Sequence, residues 1–314
     1  CYIGEGDTDG DGTDMTEIRK SEGIEAPINV EVWELGNESD SEGQGGWTVD
    51  NYIAKCKELI PAIRAVDPDA VIAVHEKTSQ MGYGNQYEQN SYWHKQVLSE
   101  LGNDINYLVM HEYYPSNNIV TCLEKHVWRI ENDIKEITGN NKVKIYMSEH
   151  ANGKNVYEFG DNAWDSEIRY QVSSLGGVID DAEAFNRMSN YPLLERANSF
   201  FSINTGAWAS TYYDKDNNKT YKTLMYDLLK LYTENGVGDV VKSEFDGYNL
   251  LENGAHSAMA VRNGDELNVF ITNRSAAGFD INLQTNEAYY IKSKTVISGD
   301  SLNDYHSLLH NDEN

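Results

Sequence analysis

The sequence predicts an α/β protein in which a parallel sheet covered by helices precedes a smaller antiparallel β domain. Up to about residue 237, short apolar runs typical of buried strands alternate with amphipathic helical patterns. From about Gly238 onward the apolar residues recur with a period of two, and an Asn-Gly pair at 263–264 is typical of a hairpin turn. We therefore expect two domains, residues 1–237 and 238–314.

The composition limits the kinds of partner this chain can have. It has 314 residues, 39% of them hydrophobic, which is enough for a sizeable core. A formal net charge of −26 argues against nucleic acid and anionic membranes as partners, because both are negatively charged and are bound through Lys and Arg. No apolar run approaches the length of a membrane span. The 21 Tyr and 6 Trp offer flat apolar faces with polar edges, which suit sugar rings.

The cysteines and acidic residues give little sign of a metal site. Three cysteines do not form a disulfide framework. Near the N-terminus, Asp7, Asp9, Asp11 and Gly12 match the start of a calcium-binding loop. The glutamate that this pattern requires at its twelfth position is Ile18 here, so we interpret the stretch as a solvated loop. We expect no metal and no cofactor.

Five strand-then-helix units are predicted before the β domain, and no glycine-rich phosphate loop follows any of their strands. The strands are expected at residues 30–35, 70–75, 105–111, 143–147 and 199–208. The helices are expected at 49–66, about 92–101, about 120–138, up to about 190, and 221–233. The β domain is expected to contain a hairpin at 259–272 and strands at 279–283 and 289–297. Such units form a closed barrel or an open doubly wound sheet, and both place sites at the carboxyl ends of their strands.

Two glutamates stand where predicted strands end. Glu38 follows the strand at 30–35 after a break at Gly36, and Glu149 follows the strand at 143–147. Two carboxylates at strand ends are typical of glycoside hydrolases, which divide the roles of nucleophile and general acid/base between them. The competing interpretation is that both glutamates are solvated ends of strands.

Residues 33–38, Trp-Glu-Leu-Gly-Asn-Glu, resemble the acid/base motif of the clan A retaining glycosidases, and in particular of the family 51 α-L-arabinofuranosidases. The resemblance continues at residues 66–68, 111–113, 238–241 and 270–275. It implies a (β/α)8 TIM barrel with the acid/base at the end of strand four and the nucleophile at the end of strand seven, followed by a β-sandwich. The motif is shared with β-xylosidases and heparanase-like β-glucuronidases.

The resemblance agrees with the number of predicted units. If Glu38 ends strand four and Glu149 ends strand seven, two strands must end between them, and His75 and His111 end two. The five units are then strands four to eight, so we expect the C-terminal part of a longer protein. The resemblance implies that Glu149 is the nucleophile, which forms a glycosyl-enzyme ester, and that Glu38 protonates the leaving oxygen.

Four further residues have roles that the resemblance or their place in the sequence implies. Asn37 is expected to donate to the sugar 2-hydroxyl, and Tyr113 to donate to the nucleophile and orient it. His111 is expected to tune the acid/base, the alternative being a structural histidine. Trp208, at the end of the last predicted strand, is expected to stack on sugar.

One departure from the family pattern leaves the substrate open. Phe201 stands where family members commonly carry a glutamine that contacts arabinofuranose. Three functions are therefore considered: an α-L-arabinofuranosidase acting on arabinose-containing plant polysaccharide, another clan A retaining glycosidase such as a β-xylosidase or a glucuronidase-like enzyme, or a carbohydrate-binding protein without turnover. The expected partner in each case is an oligosaccharide or polysaccharide. The oligomeric state stays open, a homo-oligomer included, and a bacterial cytosol and export both fit.

Overall fold

The structure is a computed structural model. It describes residues 12–27, 29–78, 84–114, 119–139, 142–153, 172–203, 208–214, 217–243, 256–275, 278 and 280–304. The predicted loop that contains Asp7, Asp9 and Asp11 lies outside these residues. None of the helices in these ranges combines the length and the apolar character that crossing a membrane requires.

Strands and helices alternate over the first two thirds of the chain. The strands are β1 (Trp33–Leu35), β2 (Ile72–His75), β3 (Tyr107–Tyr114), β4 (Lys144–Asn152), β5 (Leu194–Ser199), β6 (Ser202–Ile203), β7 (Ala209–Asp214), β8 (Lys219–Lys222), β9 (Asp239–Val241), β10 (His256–Asn263) and β11 (Glu266–Asn273). The helices are α1 (Met15–Ser21), α2 (Val49–Val66), α3 (Gln86–Asn90), α4 (Tyr92–Leu101), α5 (Lys125–Thr138), α6 (Leu175–Met188) and α7 (Leu224–Asn235). One π-helical turn, Val120–Glu124, leads into α5.

The first five strands form one sheet in the order β1-β2-β3-β4-β5. β1 pairs with β2 and β2 pairs with β3 in parallel. All four residues of β2 are buried, as its apolar sequence predicts for a strand covered on both faces. The predicted α/β class is confirmed, and the sheet and its helices have the arrangement of part of a TIM barrel.

The chain divides into two compact units. The first comprises Cys1–Ser79, Gln86–Met110 and Ile130–Met147, and the second comprises Gln80–Asn85, His111–Arg129 and Ser148–Asn314. β3 and β4 thus contribute their first residues to one unit and their last residues to the other. In the first unit the apolar face of α2 is buried, including Cys56, which is a core residue.

An antiparallel sheet in the second unit has the order β11-β10-β9 and packs on α7. The predicted hairpin is confirmed, but its turn lies one residue further along the chain. Asn263 pairs with Glu266, so the loop is Gly264-Asp265 rather than Asn263-Gly264. Gly264 has φ 58°, a conformation that glycine adopts without steric cost. The predicted domain boundary at 237/238 stays a prediction.

Two of the strand predictions are wrong. The described residues of 279–283 and 289–297 have no regular secondary structure, and Tyr290 is 87% exposed. Their alternating pattern resembles a strand, but in the described structure no neighbouring strand pairs with them. The strand predicted at 199–208 lies earlier, as β5. The side chains of β5 are mostly polar or partly exposed, so pairing within the sheet rather than an apolar run defines this strand.

Candidate active site

The turn after β1 carries the first of the two glutamates. Gly36 has φ 86°, and a Cβ there would lie 2.6 Å from the Ser39 Oγ, so any other residue would be strained at this position. Glu38 itself has φ 46°, a left-handed conformation that is uncommon outside glycine and that concentrates at functional sites. The Ser41 amide donates to the Glu38 carbonyl at 2.9 Å and closes the turn. Asn37 is exposed and Glu38 is half-buried, so both are accessible to a ligand.

Side chains behind this turn hold β1 and β2 together. The Tyr52 hydroxyl donates to the Leu35 carbonyl at 2.7 Å and accepts from the His75 amide at 3.0 Å. Burial raises the pKa of Tyr52 well above its ordinary value, so the hydroxyl stays protonated and able to donate. The Trp93 indole N–H donates to the His75 carbonyl at 3.1 Å. The ends of both strands are therefore fixed by buried hydrogen bonds.

Asp40 ties the end of the same turn to the segment after β2. Its carboxylate accepts from the Thr78 amide at 3.1 Å and from the Thr78 hydroxyl at 2.8 Å, and it pairs with Lys77 at 3.2 Å. Burial by itself raises the pKa of Asp40, but these partners outweigh burial and the pKa lies below its ordinary value. The carboxylate is thus charged at neutral pH and anchors the turn.

The second glutamate, Glu149, lies in β4 and is held by neighbours on β3. The Tyr113 hydroxyl donates to Oε1 of Glu149. The His111 Nδ1 lies 3.8 Å from Oε2 of Glu149, and the His111 Nε2 lies 3.0 Å from the Ser148 hydroxyl. The Glu149 side chain is 24% exposed. Its carboxylate is therefore oriented by the hydrogen bond from Tyr113, has His111 close to its other oxygen, and is still open to solvent.

An aromatic cluster stands behind Tyr113. The Tyr113 ring centroid lies 5.7 Å from that of Phe200 and 5.2 Å from that of Trp208. Trp208 is 4% exposed, and its indole N–H donates to the Asn152 carbonyl at 2.7 Å. The ring of Trp208 is thus largely enclosed by protein, and the contact it makes near the site is with Tyr113.

A buried carboxylate on α6 fixes the end of β4. Asp181 accepts from the Tyr114 hydroxyl at 2.6 Å, the Asn152 amide at 2.9 Å and the Asn152 side chain at 2.6 Å. Burial raises the pKa of Asp181 to about 7, although the donors act in the opposite direction. Burial also lowers the pKa of His150 to about 3, so this imidazole is neutral. The network holds the strand that carries Glu149.

The predicted site residues fall into two groups. Asn37 and Glu38 belong to the first compact unit. The others belong to the second, where contacts join Tyr113 and His111 to Glu149 and Trp208 to Tyr113. Sequence reasoning missed the supporting residues Tyr52, Asp40 and Asp181, because these make contacts between elements distant in the chain. The expectation of no metal and no cofactor stays a prediction.

Comparisons with known proteins connect this chain with arabinofuranosidases. No family model matches it. An exo-α-(1→6)-L-arabinofuranosidase of Bifidobacterium longum is 27% identical over 104 residues, which cover 33% of this chain and 19% of that protein. An intracellular exo-α-(1→5)-L-arabinofuranosidase of Acetivibrio thermocellus is 30% identical over 105 residues, which cover 33% of this chain and 20% of that protein. The matched region is thus about a fifth of the length of these relatives.

Solved structures agree over most of the chain. A crystal structure described as an arabinofuranosidase has a TM-score of 0.65 at 20% identity, covering 87% of this chain and 57% of that one. A family 51 α-L-arabinofuranosidase from Thermotoga petrophila has a TM-score of 0.63 at 20% identity, covering 83% of this chain and 55% of that one. At this identity the likeness shows a shared fold. The resemblance predicted from the Trp-Glu-Leu-Gly-Asn-Glu motif is confirmed.

Proposed function

We propose that this chain supplies the two catalytic carboxylates of a retaining glycoside hydrolase, an α-L-arabinofuranosidase acting on arabinose-containing plant polysaccharide. The observation that carries the proposal is the hydrogen bond from Tyr113 to Glu149, beside His111, in a strand of the parallel sheet. A nucleophilic carboxylate needs to be oriented, charged and reachable. The Tyr113 contact orients Glu149, and its partial exposure leaves it reachable. The arabinofuranosidase names of the matched relatives support the choice of sugar.

In the first step Glu149 attacks the anomeric carbon of the non-reducing-end sugar. A bond forms between a Glu149 carboxylate oxygen and the anomeric carbon while the bond from that carbon to the leaving oxygen breaks. Glu38 gives its proton to the leaving oxygen, so the aglycone departs as a neutral alcohol. The products of this step are a glycosyl ester on Glu149 and an ionised Glu38.

In the second step the roles of the carboxyl groups are reversed. Glu38 takes a proton from a water molecule, whose oxygen attacks the anomeric carbon and displaces the Glu149 carboxylate. The configuration at the anomeric carbon is inverted twice and is therefore retained. Such enzymes place the two carboxyl groups about 5–5.5 Å apart, which leaves no room for water between the nucleophile and the sugar in the first step.

The neighbouring residues have supporting roles in this proposal. Tyr113 keeps one oxygen of Glu149 fixed, so that the other faces the anomeric carbon. His111 adds a second polar neighbour and influences proton transfer near the site. Asn37 is exposed beside Glu38 and donates to the sugar 2-hydroxyl, a contact that strengthens in the transition state. Trp208 supports the ring of Tyr113 and offers little surface for sugar stacking.

A second candidate is another clan A retaining glycosidase, such as a β-xylosidase or a glucuronidase-like enzyme. Phe201, which stands where family members carry a sugar-binding glutamine, favours this alternative and is 46% exposed. An apolar ring there removes a hydrogen-bond partner for arabinofuranose. The same two glutamates would carry out the same double displacement on a different sugar.

The test is hydrolysis of 4-nitrophenyl α-L-arabinofuranoside and 4-nitrophenyl β-D-xyloside by the full-length protein and its Glu149→Ala variant. Glu58→Ala serves as the matched control, because Glu58 is an exposed glutamate on α2. We expect activity on the arabinofuranoside that Glu149→Ala abolishes and Glu58→Ala leaves unchanged. A preference for the xyloside would support the second candidate. A folded protein inactive on both substrates would contradict the arabinofuranosidase proposal.

A further inference from the structure

His75 is a buried histidine that the proposed mechanism does not use. It is the last residue of β2 and is 4% exposed. The two nitrogens of its ring have different neighbours. Nε2 lies 3.4 Å from the Ser39 backbone nitrogen, and Nδ1 lies 2.6 Å from the Glu76 carbonyl oxygen. Ser39 directly follows Glu38, so one side of this ring contacts the turn that carries the proposed acid/base.

These neighbours determine where the proton sits on the His75 ring. A backbone amide can only donate a hydrogen bond, so Nε2 must accept from Ser39 and carry no proton. A backbone carbonyl can only accept, so Nδ1 must donate to Glu76 and carry the proton. The ring is therefore neutral and in the Nδ1–H form. Protonation of Nε2 would place a hydrogen against the amide hydrogen of Ser39.

Packing keeps the His75 ring in this orientation. The Tyr52 ring centroid lies 4.2 Å from it on one side, and the Trp93 ring is stacked with it at 5.7 Å. The hydrogen bonds of Tyr52 and Trp93 to the backbone of His75 fix the main chain as well. An imidazole held in this way presents Nε2 in one direction, so it acts as a rigid acceptor for the turn.

The turn needs such an acceptor because its backbone conformation is uncommon. Glu38 has φ 46°, and Gly36 has φ 86° with no space for a Cβ, since that atom would lie 3.5 Å from the His75 Nε2 and 2.6 Å from the Ser39 Oγ. Left-handed residues other than glycine persist where surrounding contacts hold them. The hydrogen bond from Ser39 to His75 is a side-chain contact directly adjacent to the left-handed residue.

We propose that His75 is the positioning residue of the acid/base. Through the Ser39 amide it holds the turn so that the carboxyl group of Glu38 faces the leaving oxygen. The inference rests on the proposed role of Glu38. It adds that proton transfer, rather than sugar binding or nucleophilic attack, depends on the acceptor at Nε2 of His75.

The dependence of rate on the leaving group tests this inference in the full-length protein. An activated aglycone such as 2,4-dinitrophenol leaves without a proton, whereas methanol does not. We expect His75→Leu, which fills the space without an acceptor, to lower kcat/KM for the methyl glycoside about 10- to 100-fold, as misplacing a catalytic group by about 1 Å does. The value for the dinitrophenyl glycoside should change less than about threefold, since glycosylation of that substrate needs no acid.

A matched variant and a second background separate positioning from general damage. His75→Gln keeps an acceptor oxygen within reach of the Ser39 amide, so it should retain most of the activity on the methyl glycoside. In a Glu38→Ala background, His75→Leu should cause no further loss, because it acts through Glu38. Equal losses on both substrates, or an additional loss in the Glu38→Ala background, would overturn the inference.

Failure of the proposed function would look different. If Glu38→Ala itself lowered kcat/KM for both substrates equally, Glu38 would not be the acid, and the proposed function would fail. If Glu38→Ala showed the leaving-group dependence and His75→Leu did not, the inference about His75 alone would fail.

The protonation of the ring gives a measurement that does not depend on activity. In protein labelled with ¹⁵N-histidine, the signals that disappear in His75→Gln identify His75. We expect Nδ1 with a bound proton and Nε2 without one at neutral pH. A proton on Nε2 would mean that this atom does not accept from Ser39 and would overturn the inference, whatever the activity of the variants.

Discussion

The two proposed catalytic glutamates are held in contrasting ways. Glu149 lies within a regular strand, and side chains of the neighbouring strand, Tyr113 and His111, contact its carboxylate directly. Glu38 lies in a turn whose backbone is left-handed, and this turn is fixed by main-chain hydrogen bonds, by His75 and by the Asp40 carboxylate.

This contrast matches the chemistry proposed for the two residues. A nucleophile keeps one protonation state and one direction of attack, so hydrogen bonds to its carboxylate are useful throughout the reaction. An acid/base gains and loses a proton in every cycle. Fixing the backbone of Glu38 keeps the position of the group while its proton is transferred.

The largest expected effect separates the two glutamates by substrate. Glu149→Ala should lower kcat by about 10⁴- to 10⁶-fold on every glycoside, because no covalent intermediate forms. Glu38→Ala should lower kcat/KM by about 10²- to 10⁴-fold for the methyl glycoside and change it little for the dinitrophenyl glycoside. Steady-state kinetics on both substrates measures this. Identical losses for both variants on both substrates would contradict the assignment of distinct roles.

A smaller effect is expected from the contact that orients Glu149. Tyr113→Phe removes the hydroxyl that donates to the carboxylate and leaves the aromatic cluster in place. Hydrogen bonds to charged groups contribute about 1.5–3 kcal/mol, so kcat/KM should fall about 10- to 100-fold on both substrates. Tyr213→Phe, which removes an exposed hydroxyl, is the control. A loss of kcat/KM for the methyl glycoside alone would mean that Tyr113 supports the acid/base instead of the nucleophile.

The conformation of the turn can be tested without any substrate. Gly36→Ala adds a Cβ to a residue with φ 86° and places it 2.6 Å from the Ser39 Oγ. Gly23→Ala is the matched control, because Gly23 has φ 84° and nothing within 4 Å of its Cβ position. Urea unfolding should show that Gly23→Ala lowers the free energy of unfolding by about 1 kcal/mol and that Gly36→Ala lowers it by about 2–3 kcal/mol. Equal losses of unfolding free energy for the two variants would mean that the turn rearranges to accommodate the added Cβ.

The last expected effect depends on pH and concerns the support of β4. The pKa of Asp181 is raised from 3.8 to about 7, so the folded state binds this proton more tightly than the unfolded chain. Its contribution to stability is full below about pH 4 and falls as the pH rises through 7. The unfolding free energy of the wild type, relative to that of Asp181→Asn, should therefore decrease as the pH rises over this range. A difference independent of pH would contradict the raised pKa.

The elements that the sequence predicted well are those with their own local signals. The helices Val49–Val66 and Tyr92–Leu101 have the predicted bounds, because amphipathic spacing marks their faces and Asp67-Pro68 and Gly102 mark their ends. β4 was expected to end before Glu149 and instead extends to Asn152, since pairing continues beyond the apolar run. Strand ends depend on neighbours that the local sequence does not contain.

The residues missed around the site make their contacts with elements that are distant in the chain. Glu38 and Glu149 were identified because a glutamate after an apolar run is visible in the sequence. His75 was noted only as a strand end, and its contact with Ser39 joins residues 36 positions apart. In the sequence Asp181 is one of several acidic residues on a helix, and its partners lie on β3 and β4. Contacts between residues that are far apart in the chain leave no pattern in the local sequence.

The role of Glu149 is tested most directly by trapping the covalent intermediate. In Glu38→Ala the dinitrophenyl α-L-arabinofuranoside should glycosylate the protein readily, while hydrolysis of the ester is slow for lack of a base. Mass spectrometry of the intact protein should then show the addition of one pentosyl group, and peptide mapping should place it on Glu149. A pentosyl group on another residue, or turnover with inversion at the anomeric carbon and no adduct, would contradict the central claim that Glu149 is the nucleophile.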